Sequence, residues 1–157
     1  MSISWGVVPS QPQEPGFCDW LIKAGLEIPA VTGRFPSLNE LREVLQSLNV
    51  VPIREDNYEI SSYSISIGEL YSKQYAHMLG SVKDDKLFHF QFWGSGCHHL
   101  TMMEILKRLT AFCGPFVLYE SGAATPVIIE SSTRLADALD DWVKRTDFRY
   151  SDNEIEK

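Results

Sequence analysis

The chain has 157 residues, of which 44% are hydrophobic and 22% are charged, the proportions of an ordinary globular protein. This length predicts one domain that spans residues 1–157. A formal net charge of −7 with scattered Lys and Arg residues argues against a nucleic-acid binder, because such proteins neutralise phosphates with clustered basic side chains. The apolar runs are far shorter than the ~18 residues that a membrane helix needs, so no membrane contact is expected. Mild acidity favours a basic protein partner through electrostatic steering.

Cysteine usage bears on the compartment. The three cysteines, Cys18, Cys97 and Cys113, are an odd and sparse set that does not suit a disulfide framework. The N-terminus also lacks the basic region and apolar run of a signal peptide, so we expect a cytoplasmic protein. No cofactor is expected, because the glycines match neither a dinucleotide-binding fingerprint nor a P-loop.

The N-terminal part combines a short strand with an extended connection. Residues Ser4–Val8 are β-prone, and the prolines after them disfavour a helix, so residues 1–16 are predicted to form an extended segment that pairs with the main body. A short helix is predicted next, because apolar residues recur at helical spacing before Gly25. These residues are Phe17, Trp20, Leu21 and Ala24.

A helix and a strand follow. Ser37 and Glu40 form a capping-box pattern, which predicts a helix over Leu38–Leu48. Alternating Tyr and Ile residues over Tyr58–Ile67 predict one strand, with a β-bulge near Ser61–Ser62 where the alternation changes phase.

The middle of the chain contains one ambiguous segment. Residues 69–79 fit either a helix or a strand, and a strand from Tyr75 is favoured because the polar turn at 83–86 leads into a strand that needs a neighbour. In that next strand, Phe88, Phe90 and Phe92 alternate with polar residues and predict one strongly apolar face.

The C-terminal half predicts helix, hairpin and helix. Thr101 and Glu104 form a second capping-box pattern before an apolar stripe that ends at Cys113. Residues 116–119 and 127–130 are predicted to pair as a hairpin, and a last helix is predicted over Thr133–Arg145, with residues 150–157 as a frayed tail. This order predicts an α+β fold, a mostly antiparallel sheet flanked by about three helices.

The loop after the phenylalanine-rich strand contains the candidate catalytic residues. Cys97 is a possible nucleophile with His98 or His99 as its base, because a thiol acts at neutral pH only when its pKa is lowered. The same residues with His89 lack the spacing of a metal site, and no metal is expected. A two-residue turn at 84–85 would place His77 on the face opposite His89, which also disfavours a metal.

Aromatic and acidic side chains are the candidate partner-binding residues. Trp20 and Trp93 are not explained by any apolar helix stripe, and exposed aromatic residues often mark interfaces. The last helix presents a series of aspartates that could meet a cationic partner, or a second copy of this chain could cover the aromatic patch. These aspartates are Asp137, Asp140 and Asp141.

The order of elements from Phe88–Trp93 through Cys113-Gly114-Pro115 to Pro126–Glu130 resembles the layout of small acidic bacterial proteins of the immunity type. Such proteins neutralise a toxin by covering it. The resemblance implies a non-enzymatic binding or inhibitory protein, and it assigns no role to any individual residue. The alternatives are a small enzyme that uses Cys97 and a homo-oligomer subunit.

Overall fold

The computed structural model describes residues 3–48, 52–58, 62–70, 72–94, 96–122 and 125–145, with the backbone alone for 52–58. Within these residues the chain forms seven strands and four helices. In chain order they are β1 (Ser4–Pro9), α1 (Pro15–Lys23), α2 (Leu38–Ser47), β2 (Pro52–Tyr58), β3 (Ser62–Ile67), β4 (Ala76–Lys83), β5 (Lys86–Trp93), α3 (His99–Cys113), β6 (Phe116–Glu120), β7 (Pro126–Ile129) and α4 (Leu135–Arg145). The tail predicted at 150–157 lies outside the described residues.

All strands belong to one antiparallel sheet with the order β2-β3-β4-β5-β1-β6-β7. The predicted α+β class, a mostly antiparallel sheet flanked by about three helices, is confirmed, and the short helix predicted after the N-terminal segment is present as α1. The N-terminal residues are not merely an extended segment, because β1 lies in the interior of the sheet between β5 and β6. The helix after it begins within the predicted segment, at Pro15, since proline is well accepted in the first helical turn.

The helices lie on both faces of the sheet. Leu41 of α2, Leu106 of α3 and Trp142 of α4 belong to one core cluster with the inward side chains of the strands. Leu21 of α1 and Val117 of β6 are also fully buried but lie outside that cluster. We call the face under α2, α3 and α4 the core face, and the opposite one the second face, which α1 covers at the β1–β6 end.

The region predicted as one bulged strand is a hairpin. Tyr58 at the end of β2 lies opposite Ser62 at the start of β3, so the chain reverses between them. The change of phase in the sequence therefore marks a turn and not a bulge inside one strand. Residues 59–61, including the Ser61 of the predicted bulge, lie outside the described residues.

A bulge occurs instead in the β4–β5 hairpin. Asp84 and Asp85 have φ angles of 52° and 60°, the left-handed pair of a tight hairpin turn. Val82 lies opposite Leu87 but Ser81 lies opposite His89, so Phe88 is the extra residue. Phe88 was predicted to share the apolar face with Phe90, but it is 58% exposed because Leu87 takes the inward position.

This bulge also changes the position of a histidine. A one-residue shift of register moves every later side chain to the other face of its strand. His77 therefore lies on the second face together with His89, and both line the same concavity. The prediction that the two histidines lie on opposite faces was wrong, because the bulge depends on strand pairing that the local sequence does not specify.

The two predicted capping boxes had different outcomes. At Ser37 the box is present: the Ser37 Oγ accepts from the Glu40 N–H at 3.1 Å, and Glu40 Oε1 accepts from the Ser37 N–H at 2.9 Å. At Thr101 it is not, because α3 begins two residues earlier with His98 as its N-cap. The Thr101 hydroxyl instead donates to the Lys73 carbonyl at 2.7 Å.

Helix α4 is bonded to the start of the edge strand β7. The Trp142 Nε1–H donates to the Thr125 carbonyl at 2.9 Å, and the Arg145 guanidinium donates to the Pro126 carbonyl at 2.7 Å. These hydrogen bonds use two carbonyl groups at the start of β7. Hydrogen-bonded groups at a sheet edge are protected against pairing with another chain.

Candidate binding face of the sheet

The second face is uncovered by the described helices over β3, β4 and β5. Alternation along each strand brings mostly uncharged polar side chains to this surface, with one leucine among them. We call this surface the open face. It comprises Ser62, Ser64, Ser66, His77, Leu79, Ser81, His89 and Gln91.

The side chains of the open face form a regular lattice. Across the strands, Ser66 lies opposite His77, Ser64 opposite Leu79, and Leu79 in turn opposite Gln91. The twist of the sheet makes this surface a concavity of about 500 Å³. The Oγ atom of Ser66 lies 2.5 Å from the Nδ1 atom of His77.

An aromatic wall borders the open face on the β1 side. Tyr119 of β6 lies across Gly6 of β1, where a Cβ atom would come within 2.2 Å of the tyrosine ring. Only glycine leaves room for this ring. Trp20 of α1 packs edge-on against Tyr119, with ring centroids 5.2 Å apart, and Phe17 packs in the same way against Trp20. The predicted interface residue Trp20 is therefore part of this wall and is half-buried.

Trp93 lies at one end of the same face. It is two residues beyond Gln91 on β5, so it projects on the same side of the sheet, and it is 40% exposed. Ser4 lies opposite it on β1, and Ile3, next to Ser4, is another exposed apolar residue. The predicted aromatic residues Trp20 and Trp93 thus belong to one face of the sheet.

The acidic residues predicted as partner contacts are elsewhere. Asp137, Asp140 and Asp141 are exposed on α4, which packs on the core face. Asp141 accepts from the Arg145 Nε–H at 2.7 Å, an ion pair across one helical turn. The structure does not join the acidic helix and the two tryptophans into one surface.

Cys97 is fully buried in the loop between β5 and α3. Its Sγ lies 3.2 Å from the Trp93 carbonyl, to which the thiol donates, and 3.4 Å from the His77 N–H, which donates to it. These contacts fix the loop to the ends of β4 and β5. A substrate would reach this thiol only after the loop opened.

The adjacent histidines, predicted as possible bases, are buried. His98 is 6% exposed, and its Nδ1 lies 3.4 Å from the Thr101 hydroxyl. His99 is 2% exposed and packs edge-on against Trp5 at 5.2 Å and Trp142 at 5.6 Å between ring centroids. His99 therefore links α3 to β1 and α4 as a core residue. Its position in an apolar helical stripe was the signal that the sequence offered.

No group of three or more His, Cys, Asp or Glu side chains in the described part of the chain is arranged to hold a metal ion. No described helix has the length and apolar character to cross a membrane.

The polar side chains of the open face were partly predictable from the sequence, but their role as a candidate binding surface was not. The alternating serines of β3 indicated a polar face, yet nothing local showed that this face would remain uncovered. Comparisons with protein-family models, with curated proteins and with solved structures find no match to this chain.

Proposed function

We propose that this chain is a non-enzymatic binding or inhibitory protein of the immunity type, whose partner is a basic protein. The observation that carries the proposal is Trp93, which is 40% exposed at the end of β5, beyond the open face. Tryptophan is a frequent anchor of protein interfaces because it buries a large area at a small cost in conformational entropy.

The charge of the chain supports a basic partner in a different way. A net charge of −7 steers a cationic protein towards the molecule, and steering acts on the association rate more than on the contacts themselves. The described open face carries no Asp, Glu, Lys or Arg. The contact itself would therefore depend on packing around Trp93 and on hydrogen bonds.

The α4 surface is a weaker candidate. Its three aspartates are offset by Lys144 and Arg145, and Arg145 is held by both Asp141 and the Pro126 carbonyl. A nearly balanced helix with internal ion pairs is typical of a solvated face. The burial of Cys97 likewise leaves the enzyme alternative without a favouring contact.

The test is affinity capture from a lysate of the protein's own organism, with a matched pair of variants. Phe112 is 41% exposed at the end of α3, so Phe112→Ala removes a comparable exposed aromatic residue from another surface. We expect the wild type and Phe112→Ala to retain the same basic protein. Trp93→Ala should bind it at least about 30-fold more weakly, because interface anchors contribute roughly 2 kcal/mol or more.

Two outcomes would contradict the proposal. If Trp93→Ala retained the partner as well as the wild type does, the surface around Trp93 would not be part of the interface. A wild-type dimer in light scattering that Trp93→Ala converts to a monomer would assign the aromatic patch to self-association, the homodimer alternative.

A further inference from the structure

Hydrogen-bonding side chains converge on the open face without using their capacity within the protein. Among the described residues, the side chains of Ser62, Ser64, Ser81, His89 and Gln91 make no hydrogen bond to another protein group, although their backbones pair within the sheet. Ser64 is the deepest of them, with only 8% of its surface exposed, on the floor of the concavity. Each group can both donate and accept, so water satisfies them until a ligand replaces it.

The charge of this floor restricts the ligand. Its described side chains on β3, β4 and β5 include no Asp, Glu, Lys or Arg. An ionic ligand would lose hydration here without gaining a matching set of charges. The chemistry therefore favours an uncharged ligand.

The dimensions also favour a small ligand. Three strands are only ~10 Å across from the first axis to the third, at ~4.8 Å per spacing. This floor is much smaller than the ~800 Å² that each partner buries in a stable protein interface. Its volume of about 500 Å³ lies within the usual range of small-molecule sites.

We propose that the open face binds a neutral oligosaccharide. Sugar hydroxyls both donate and accept, as the floor groups do, and an apolar sugar face can pack on the half-buried Leu79 and the aromatic wall at Tyr119. An extended peptide fits less well, because its backbone groups pair at the edge of a sheet and not across its face. This site differs from the protein contact proposed at Trp93 and does not depend on it.

The experiment uses the full chain labelled with ¹⁵N. It is screened on an array of neutral and acidic glycans and then titrated with maltotriose, cellotriose, triacetylchitotriose and, as the charged counterpart, trigalacturonic acid. We expect a neutral trisaccharide to shift backbone amide signals of residues 62–66, 77–81 and 89–91 and of the neighbouring Gly6 and Tyr119, while the amide signals of β7 stay unchanged.

Matched variants test the role of the hydroxyls. Ser64→Ala/Ser81→Ala should bind this sugar about tenfold more weakly, the loss expected from one or two hydrogen bonds. Ser132→Ala, which removes an exposed serine before α4, should bind it like the wild type. Amide-signal dispersion reports on folding, and Gln91→Ala provides a second variant if the double variant unfolds.

Three results would overturn the proposal. They are the absence of any shift in these segments with every neutral glycan, binding of trigalacturonic acid alone, and equal affinities of the floor variants and Ser132→Ala. Failure of this experiment leaves the partner-binding proposal intact, because that proposal is tested by Trp93→Ala.

Discussion

At the scale of single residues, the environment of Cys97 decides between a structural and a catalytic thiol. Cys97 is fully buried, and its sulfur contacts backbone groups of Trp93 and His77. Cys18 is only half-buried, although its thiol donates to the Pro12 carbonyl at 3.2 Å. A buried thiol reacts only when the surrounding structure opens.

Alkylation of the native protein tests this difference. With iodoacetamide followed by peptide mass spectrometry, we expect Cys18 to react first and Cys97 to react at a rate limited by opening of the loop. Cys113 should also be protected, since burial raises the pKa of its thiol to about 12. Alkylation of Cys97 as fast as a free thiol would support the enzyme alternative.

Glu40 is the residue whose charge bears most clearly on stability. Hydrogen bonding to Arg34, at 2.6 Å and 2.8 Å, lowers the pKa of its carboxyl from 4.5 to about 2. The ionised group therefore stabilises the fold above pH 4.5, and this contribution is lost as the pH falls towards 2. Because the Arg34 side chain is 54% exposed, solvent screening limits it to about 1 kcal/mol.

Glu40→Gln isolates this effect, because the amide oxygen can still accept from the Ser37 N–H. In urea unfolding we expect the variant to be about 1 kcal/mol less stable than the wild type near neutral pH, with the difference vanishing at low pH. Glu43→Gln, an exposed change on the same helix, is the control. A difference that persists at the lowest pH would show that charge is not the cause.

At the scale of elements, the bulge in β5 separates two phenylalanines that the sequence groups together. Phe88 is 58% exposed, whereas Phe90 is 2% exposed and packs edge-on against Phe92 at 5.4 Å. We expect Phe90→Ala to lower the free energy of unfolding by about 3–5 kcal/mol, the usual cost of a large cavity. Phe88→Ala should change it by less than about 0.5 kcal/mol. Equal losses in thermal unfolding would contradict the bulge.

The elements also show how far the sequence can be interpreted. The Ser37 capping box and the turn at 84–85 were predictable because their geometry depends on a few neighbouring residues. The bulge at Phe88 was not, since Leu87 and Phe88 are both apolar and either could occupy the inward position. The choice is made by the pairing of the two strands, in which Val82 lies opposite Leu87 and Ser81 lies opposite His89.

At the scale of the whole molecule, the helices leave one half of one face uncovered. Three helices share the core face, while α1 covers the second face only near β1 and β6. The polar side chains of the open face could be predicted from alternation in β3, and Trp93 could be identified as an aromatic residue without a helix. Their meeting on one surface could not, because it depends on the order of the strands and on the bulge in β5.

The whole-molecule arrangement also separates the two surfaces proposed from the sequence. Binding at Trp93 and binding at the α4 aspartates would protect opposite sides of the sheet. Hydrogen exchange of the backbone amides can distinguish these two binding surfaces without any substitution, provided that the captured partner is added to the intact protein.

Hydrogen–deuterium exchange of the complex with that partner would show whether the partner contacts the surface around Trp93. We predict slower exchange in residues 89–94 and in the adjoining part of β1, with residues 135–145 unchanged. Protection confined to residues 135–145, with no change around Trp93, would contradict the account.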